Sequence, residues 1–238
     1  MMDYTLVKPL SLVIAGICFR ISVKSPTPPP SSKDQVYTGN AFEKMTSTMA
    51  FVNRSLALLI CLASAAVHLA IAYPDVVPEA VLTMLCPLRR PNSDTLYTIT
   101  PSFLIGFLLV ILGTVARIWC YKTLGRHFTF EVSLLHDHSL VTSGPYAYVR
   151  HPSYGACIPL FAGMGLMLFG RDEWVRQSGI LSSPLGYVII FWVVLLGWVS
   201  YYLWNRISIE DENLRKRFGS VWESYARDVP YTLIPGLY

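Results

Sequence analysis

Two polar clusters in an otherwise apolar chain hold the side chains that could do chemistry. The first is HSLVTSGPYAYVRHPSYG, residues 138–155. Arg150 and His151 set a fixed cation beside a titratable ring. Gly144-Pro145 reads as a turn, and Pro152 suits the first turn of a following helix. The N–H groups at that helix start could receive an anionic group such as a carboxylate. The second cluster is RISIEDENLRKRFGSVWESYARDVP, residues 206–230. Arg206 and Glu210 are four apart, so on a helix they share a face. There the guanidinium can grip a carboxylate through two parallel hydrogen bonds, while the Glu carboxylate can accept from an amine or a ribose hydroxyl. Each cluster alone also has an ordinary reading. Arg and Tyr serve as interface anchors, a lone His packs, and an Arg/Glu pair at this spacing can be a solvated ion pair.

The elements that must position these clusters are membrane helices. Hydrophobic residues make up 53% of the 238 positions and charged residues 14%, too few charges to coat a soluble globule of this size. The expected fold is an all-α integral membrane protein with about five transmembrane helices, a C-terminal helical hairpin and cytosolic polar segments. Spans are expected near 6–22, 53–73 and 101–121, in an N-terminal region 1–127. A connector over 25–48 opens with a Pro-rich run that cannot be helical, because each proline fixes φ and removes a donor. The region 128–238 holds the hairpin 156–204 and a cytosolic tail. Its first arm carries Pro159, Gly163 and Gly165, which permit a bend or close packing, and its turn falls in 170–184.

Charge orients this layout. With the connector, the segment 122–154 and the tail on one side, that side carries twelve Lys/Arg against five on the other. The richer side is the cytosolic one. The net charge of +4 comes with no basic, aromatic-interleaved stretch, so no nucleic-acid partner is expected. Cys18, Cys61, Cys86, Cys120 and Cys157 form no C-x-x-C pair and read as small buried hydrophobes. His136 and His138 lack companions that would complete a metal site, so no metal is expected. His68, inside an apolar run, is either a functional group or a packed one.

Taken together, the clusters resemble the isoprenylcysteine carboxyl methyltransferases, endoplasmic-reticulum enzymes that methylate the C-terminal prenylated cysteine of processed C-a-a-X proteins. The resemblance runs from about Phe128 to the C-terminus through LVTSG, Tyr146, RHPSY, the Arg206/Glu210 pair, Leu214, Phe218-Gly219, Tyr225 and Val229-Pro230. The N-terminal half looks like the fungal branch. The resemblance implies S-adenosyl-L-methionine as cofactor, held by His138, Ser139, Leu140, Val141, Tyr146, His151, Pro152, Ser153, Tyr154 and Glu210. It places Arg206 on the substrate carboxylate. Where the family commonly carries a Gln that contacts the cofactor, this chain has Glu131, which either takes over that contact as an acceptor or marks a local shift of the correspondence. Implied partners are the prenylated cysteine and membrane lipid, and the oligomeric state stays open.

Methyl transfer from a sulfonium to a carboxylate needs no general base, since the nucleophile is already ionised at pH 7. Positioning and exclusion of water are the work of such a site. Three other classes fit parts of the pattern. A membrane methyltransferase for phospholipid amines or small thiols would have less use for a carboxylate-holding Arg. A sterol-reductase-like NADPH enzyme shares the R-H-P-x-Y element but not the Arg206/Glu210 pair with its tail. A non-catalytic membrane scaffold need not keep His151, Arg206 and Glu210 together.

Overall fold

The computed structural model describes residues 4–28, 41–130 and 139–237. Ten α-helices follow in order among these residues: α1 Val7–Ser22, α2 Ala41–Ala72, α3 Glu79–Leu85, α4 Ser93–Leu96, α5 Pro101–Leu124, α6 Pro152–Gly155, α7 Cys157–Phe169, α8 Trp174–Gln177, α9 Pro184–Phe218 and α10 Ser220–Asp228. No strand occurs among the described residues. The protein is an all-α integral membrane protein, as expected.

Four stretches are long and apolar enough to cross a bilayer: Met45–Ala72, Ser93–His127, Pro152–Phe169 and Pro184–Phe218. The expected first span corresponds to α1, whose 16 residues cover about 24 Å, short of a ~30 Å hydrocarbon layer. Helix α2 starts at Ala41, well inside the stretch read as connector. The reason is legible locally, since no Pro or Gly occurs between Ala41 and Ala72 to stop a helix. Helix α9, with 35 residues, runs about 52 Å and so carries its last turns, from around Arg206, beyond the apolar layer. Tyr187, Phe191, Val194, Trp198 and Tyr201 on α9 are exposed, an apolar and aromatic face suited to lipid.

The chain passes five times between two ends of the bundle, through α1, α2, α5, α7 and α9. At the end away from the polar clusters, the Lys8 ammonium donates to Glu173 Oε1 and to the Leu96 carbonyl, each at 2.8 Å, and lies over the Phe103 ring. This buried ion pair joins α1, α4, α5 and the turn after α7. His68 also packs toward this end. Its Nδ1 lies 2.7 Å from the Ser64 carbonyl within α2, and its ring meets Tyr97 edge-on.

The glycines of α7 bring it against α5. A Cβ on Gly163 would stand 2.5 Å from the Gly106 carbonyl oxygen, and one on Gly106 would stand 2.8 Å from the Gly163 carbonyl oxygen. The two backbones meet where neither can carry a side chain. The hairpin glycine thus serves α5, while α9 lies against α2 through Trp192, whose indole N–H donates to Asn53 Oδ1 at 2.9 Å.

Candidate active site

The two polar clusters meet at the other end of the bundle, between the start of α6 and the outer turns of α9. Pro152 opens α6 at its first position, which leaves His151 as the N-cap residue before it. The tail fixes this junction from outside: the Arg150 and His151 N–H groups donate to the Tyr231 and Thr232 carbonyls at 3.0 and 2.8 Å. The Arg150 side chain fastens the same join. It donates to Asp211 Oδ2, to the Val229 and Pro230 carbonyls, and to Thr232 Oγ1. Arg150 is thereby a clamp between loop, α9 and tail.

His151 sits between two carboxylates of α9. Its Nε2 is 2.8 Å from Asp211 Oδ1, and its Nδ1 is 3.5 Å from Glu210 Oε2. Burial, the largest single influence, disfavours the charged ring. The hydrogen bond to Asp211 and the charge of Glu210 together outweigh it, and the His151 pKa is pushed up to about 9. At neutral pH the ring is an imidazolium with both N–H groups aimed at acids. Tyr154 stacks on it at 5.6 Å with the planes 9° apart.

Glu210 is the hub. Its Oε1 accepts from the Tyr154 hydroxyl at 2.5 Å and from Arg206 Nε at 2.6 Å. A carboxylate offers about four acceptor positions, so Oε2, with His151 at 3.5 Å, keeps capacity for another donor. Arg206 is buried and also donates through Nη1 to the Phe130 carbonyl. The expected i,i+4 pair therefore exists, but inside a closed polar cluster and not on a solvated face.

Of the residues anticipated from sequence, Ser139, Leu140, Val141, Tyr146, His151, Ser153, Tyr154, Arg206 and Glu210 line a single cavity. Pro152 shapes the helix start and does not face it. Glu131 and His138 lie outside the described residues. The cavity continues from this polar end into an apolar arm that includes Met49, Ala50, Phe161, Val199 and Leu203.

Three contributors escape a reading of the two clusters alone. Asp211 stands next to Glu210 in the sequence, yet its role depends on the fold that brings His151 to it. Tyr225 donates to the Tyr146 carbonyl at 2.8 Å and lines the cavity. Arg117, from the middle of an apolar run, donates to the Ser22 carbonyl and to the Ser153 carbonyl and hydroxyl, at 3.0, 3.1 and 2.5 Å. It thereby ties the end of α1 to α6. A charge inside a membrane run was the available signal for Arg117.

An all-α membrane bundle with a lipid-level apolar arm leading to a buried Arg/Glu/His/Tyr cluster defines the class. Residues 104–175, from within α5 into α8, match the isoprenylcysteine carboxyl methyltransferase family. The chain is 30% identical over 138 residues to the protein-S-isoprenylcysteine O-methyltransferase of Dictyostelium discoideum, covering 56% of this chain and 49% of that protein. It is 31% identical over 142 residues to the Schizosaccharomyces pombe enzyme of the same name, covering 55% and 52%. A probable protein-S-isoprenylcysteine O-methyltransferase of Oryza sativa is 32% identical over 127 residues, covering 52% and 57%. The aligned part spans about half the length of these relatives.

Proposed function

We propose that the chain transfers a methyl group from S-adenosyl-L-methionine to the C-terminal carboxylate of a prenylated cysteine in processed C-a-a-X proteins. On this reading it works in the endoplasmic-reticulum membrane, with the polar end of the bundle facing the cytosol. The observation that carries the reading is the continuity of one cavity from the Arg206/Glu210/His151/Tyr154 cluster into an apolar arm among membrane helices. A substrate with a carboxylate at one end and a long hydrocarbon tail at the other fits that polarity. A phospholipid amine would bring a cation to Arg206.

The donor set suits the cofactor. Glu210 Oε2 can accept from an amine or ribose hydroxyl, the Ser139 and Tyr154 hydroxyls stand nearby, and Leu140, Val141 and Tyr146 supply an apolar wall. Glu131 and His138 belong to the same proposed set. When bound, the cofactor would supply an electrophilic methyl group on a positively charged sulfur. The rest is positioning by the protein. Glu210 and the Phe130 carbonyl hold the Arg206 guanidinium in place, so that a carboxylate meets a preorganised cation. His151 in turn orients Glu210, and Asp211 orients His151. Walls that exclude water strip the hydration that blunts both reacting charges. No proton need move at any of these atoms, because the nucleophile is already ionised.

Purified protein with labelled S-adenosylmethionine should form a base-labile methyl ester on N-acetyl-S-farnesyl-cysteine and none on N-acetyl-cysteine. Arg206→Ala should lower kcat/KM for the acceptor by about 10²-fold or more, the scale for removing one partner of a buried charge pair. It should weaken cofactor binding much less. Failure of folded, cofactor-binding protein to label the prenyl acceptor refutes the substrate assignment. Equal loss of both functions in Arg206→Ala removes Arg206 from its role.

A further inference from the structure

Two arginines that do not line the cavity meet where α1 lies against α2. The two helices run antiparallel, with Lys8 and His68 toward one end of the pair. Their register is fixed further along, where a Cβ on Gly16 of α1 would stand 3.0 Å from Leu58 Cδ1 and from Cys61 Cβ of α2. One turn on along α1 is Arg20, and one turn back along α2 is Arg54. The register therefore brings the two arginines to the same level, and the Arg20 charge acts on Arg54. Arg20 is exposed and Arg54 half-buried.

Like charges so placed repel, and the protein does not offset them. Among the described residues neither guanidinium has a carboxylate partner. Arg54 lies over the Phe51 ring at 5.1 Å, and its Nε is sealed in the helix contact without an acceptor. Neutralisation from within is thus ruled out among these groups, and the accessible part of each guanidinium is left to meet an anion from outside. Ile17, Ile21 and Phe51, on the same two helices, are exposed apolar side chains suited to hydrocarbon. Two uncompensated cations beside such a surface call for an anion that is itself attached to hydrocarbon.

Depth points to the same source. Arg20 is twelve positions from Lys8 on α1, about 18 Å at 1.5 Å per residue, near the end where the Ser22 carbonyl accepts from Arg117. Helix α1 falls short of a ~30 Å hydrocarbon layer, so where it ends either the headgroups dip or the basic side chains reach up to them. Both bring lipid phosphates to the level of Arg20 and Arg54. We propose that Arg20 and Arg54 form a binding site for the phosphate headgroup of an anionic phospholipid, in the leaflet at the polar-cluster end of the bundle. Phosphate oxygens accept paired hydrogen bonds from both guanidinium forks, so one headgroup bridges α1 to α2. A zwitterionic lipid brings its own cation to the same place and fits it less well. The short first helix is then held to its neighbour by a lipid as well as by packing. Nothing in this site depends on the reaction proposed above.

The test titrates full-length protein in detergent with short-chain phosphatidylserine or phosphatidylcholine and counts bound lipid by native mass spectrometry. The wild type should bind one phosphatidylserine about thirtyfold more tightly than phosphatidylcholine, at roughly fivefold for each Arg beside an anionic headgroup. Arg20→Gln and Arg54→Gln should each cut that preference about fivefold, and the double variant should erase it. Lys216→Gln, which removes an exposed cation from the outer turns of α9, should leave it unchanged. A preference between two lipids on the same folded protein is insensitive to the fraction that folds. Inorganic phosphate should not displace the lipid, because it lacks the acyl chains that lie on the apolar face. Equal binding of the two lipids by the wild type, or a preference that survives in the double variant, overturns the proposal. An equal loss in Lys216→Gln overturns it too, by reducing the effect to overall charge, and displacement by inorganic phosphate overturns the lipid as occupant.

Discussion

At the scale of single residues, the site depends on a histidine that is kept charged by its neighbours. The His151 pKa stands near 9 in the folded protein against 6.5 ordinarily. Because the folded value is the higher one, the stabilisation is fully present below about pH 6.5 and is lost as pH rises through about 9. Its size is on the order of 3 kcal/mol if the unfolded chain titrates normally. Thermal unfolding of the wild type should therefore show a falling midpoint between pH 7 and 10, and His151→Gln should flatten that slope. An identical pH slope in the variant would assign the loss to other groups. The sequence showed His151 and Glu210 as candidates because both lie in polar motifs. It could not show that Asp211 completes the pair, since adjacency to Glu210 says nothing about which ring will arrive from sixty residues away.

At the scale of elements, the helices are held by polar contacts placed in apolar surroundings as much as by packing. Lys8 and Glu173 are both almost fully buried, and burial holds the Glu173 carboxyl above its usual range despite the ammonium beside it. Lys8→Met should cost about 3–5 kcal/mol, because it leaves a carboxylate buried without its partner. Lys8→Met with Glu173→Leu should recover most of that loss. Midpoints of unfolding in detergent would read both, and a double variant no more stable than the single one would refute this account. Apolar runs and breakers made four long helices legible in the sequence. The partner of each helix was not legible: Gly163 looked suited to a hairpin with α9, and only the fold shows that the facing backbone is Gly106 of α5. Polar residues before Thr48 disguise the start of α2, and only the lack of a helix breaker from Ala41 onward betrays its full length.

At the scale of the whole molecule, five passes separate two chemically different ends. Lys8, Arg89 and Glu173 gather at one end. Arg150, Asp211 and the tail gather at the other, in keeping with the side-by-side grouping that the charge count implied. With the site facing the cytosol, single cysteines at Ser220 and Arg171, both exposed, should react differently in sealed microsomes. In a background without the five native cysteines, Ser220→Cys should label with an impermeant maleimide at once, and Arg171→Cys only after permeabilisation. Labelling of both from one side would refute the proposed topology. The sequence carried this division in its Lys/Arg distribution, while the depth at which each cluster sits required the lengths of α2 and α9.

Arg117, Arg150, Arg206 and the protonated His151 surround the cavity, against Glu210 and Asp211 among the described residues. Arg117 is met there by neutral oxygens and aromatic faces. Among the described residues the surroundings therefore lean positive by two charges. In the proposed reaction that imbalance favours an incoming acid and is indifferent to an outgoing ester, because esterification deletes the negative charge that attracted the acceptor. The tail would still draw the ester toward hydrocarbon while the anchor lets go of its head. The electrostatic bias then acts as an exit signal, telling finished molecules from unfinished ones by charge alone.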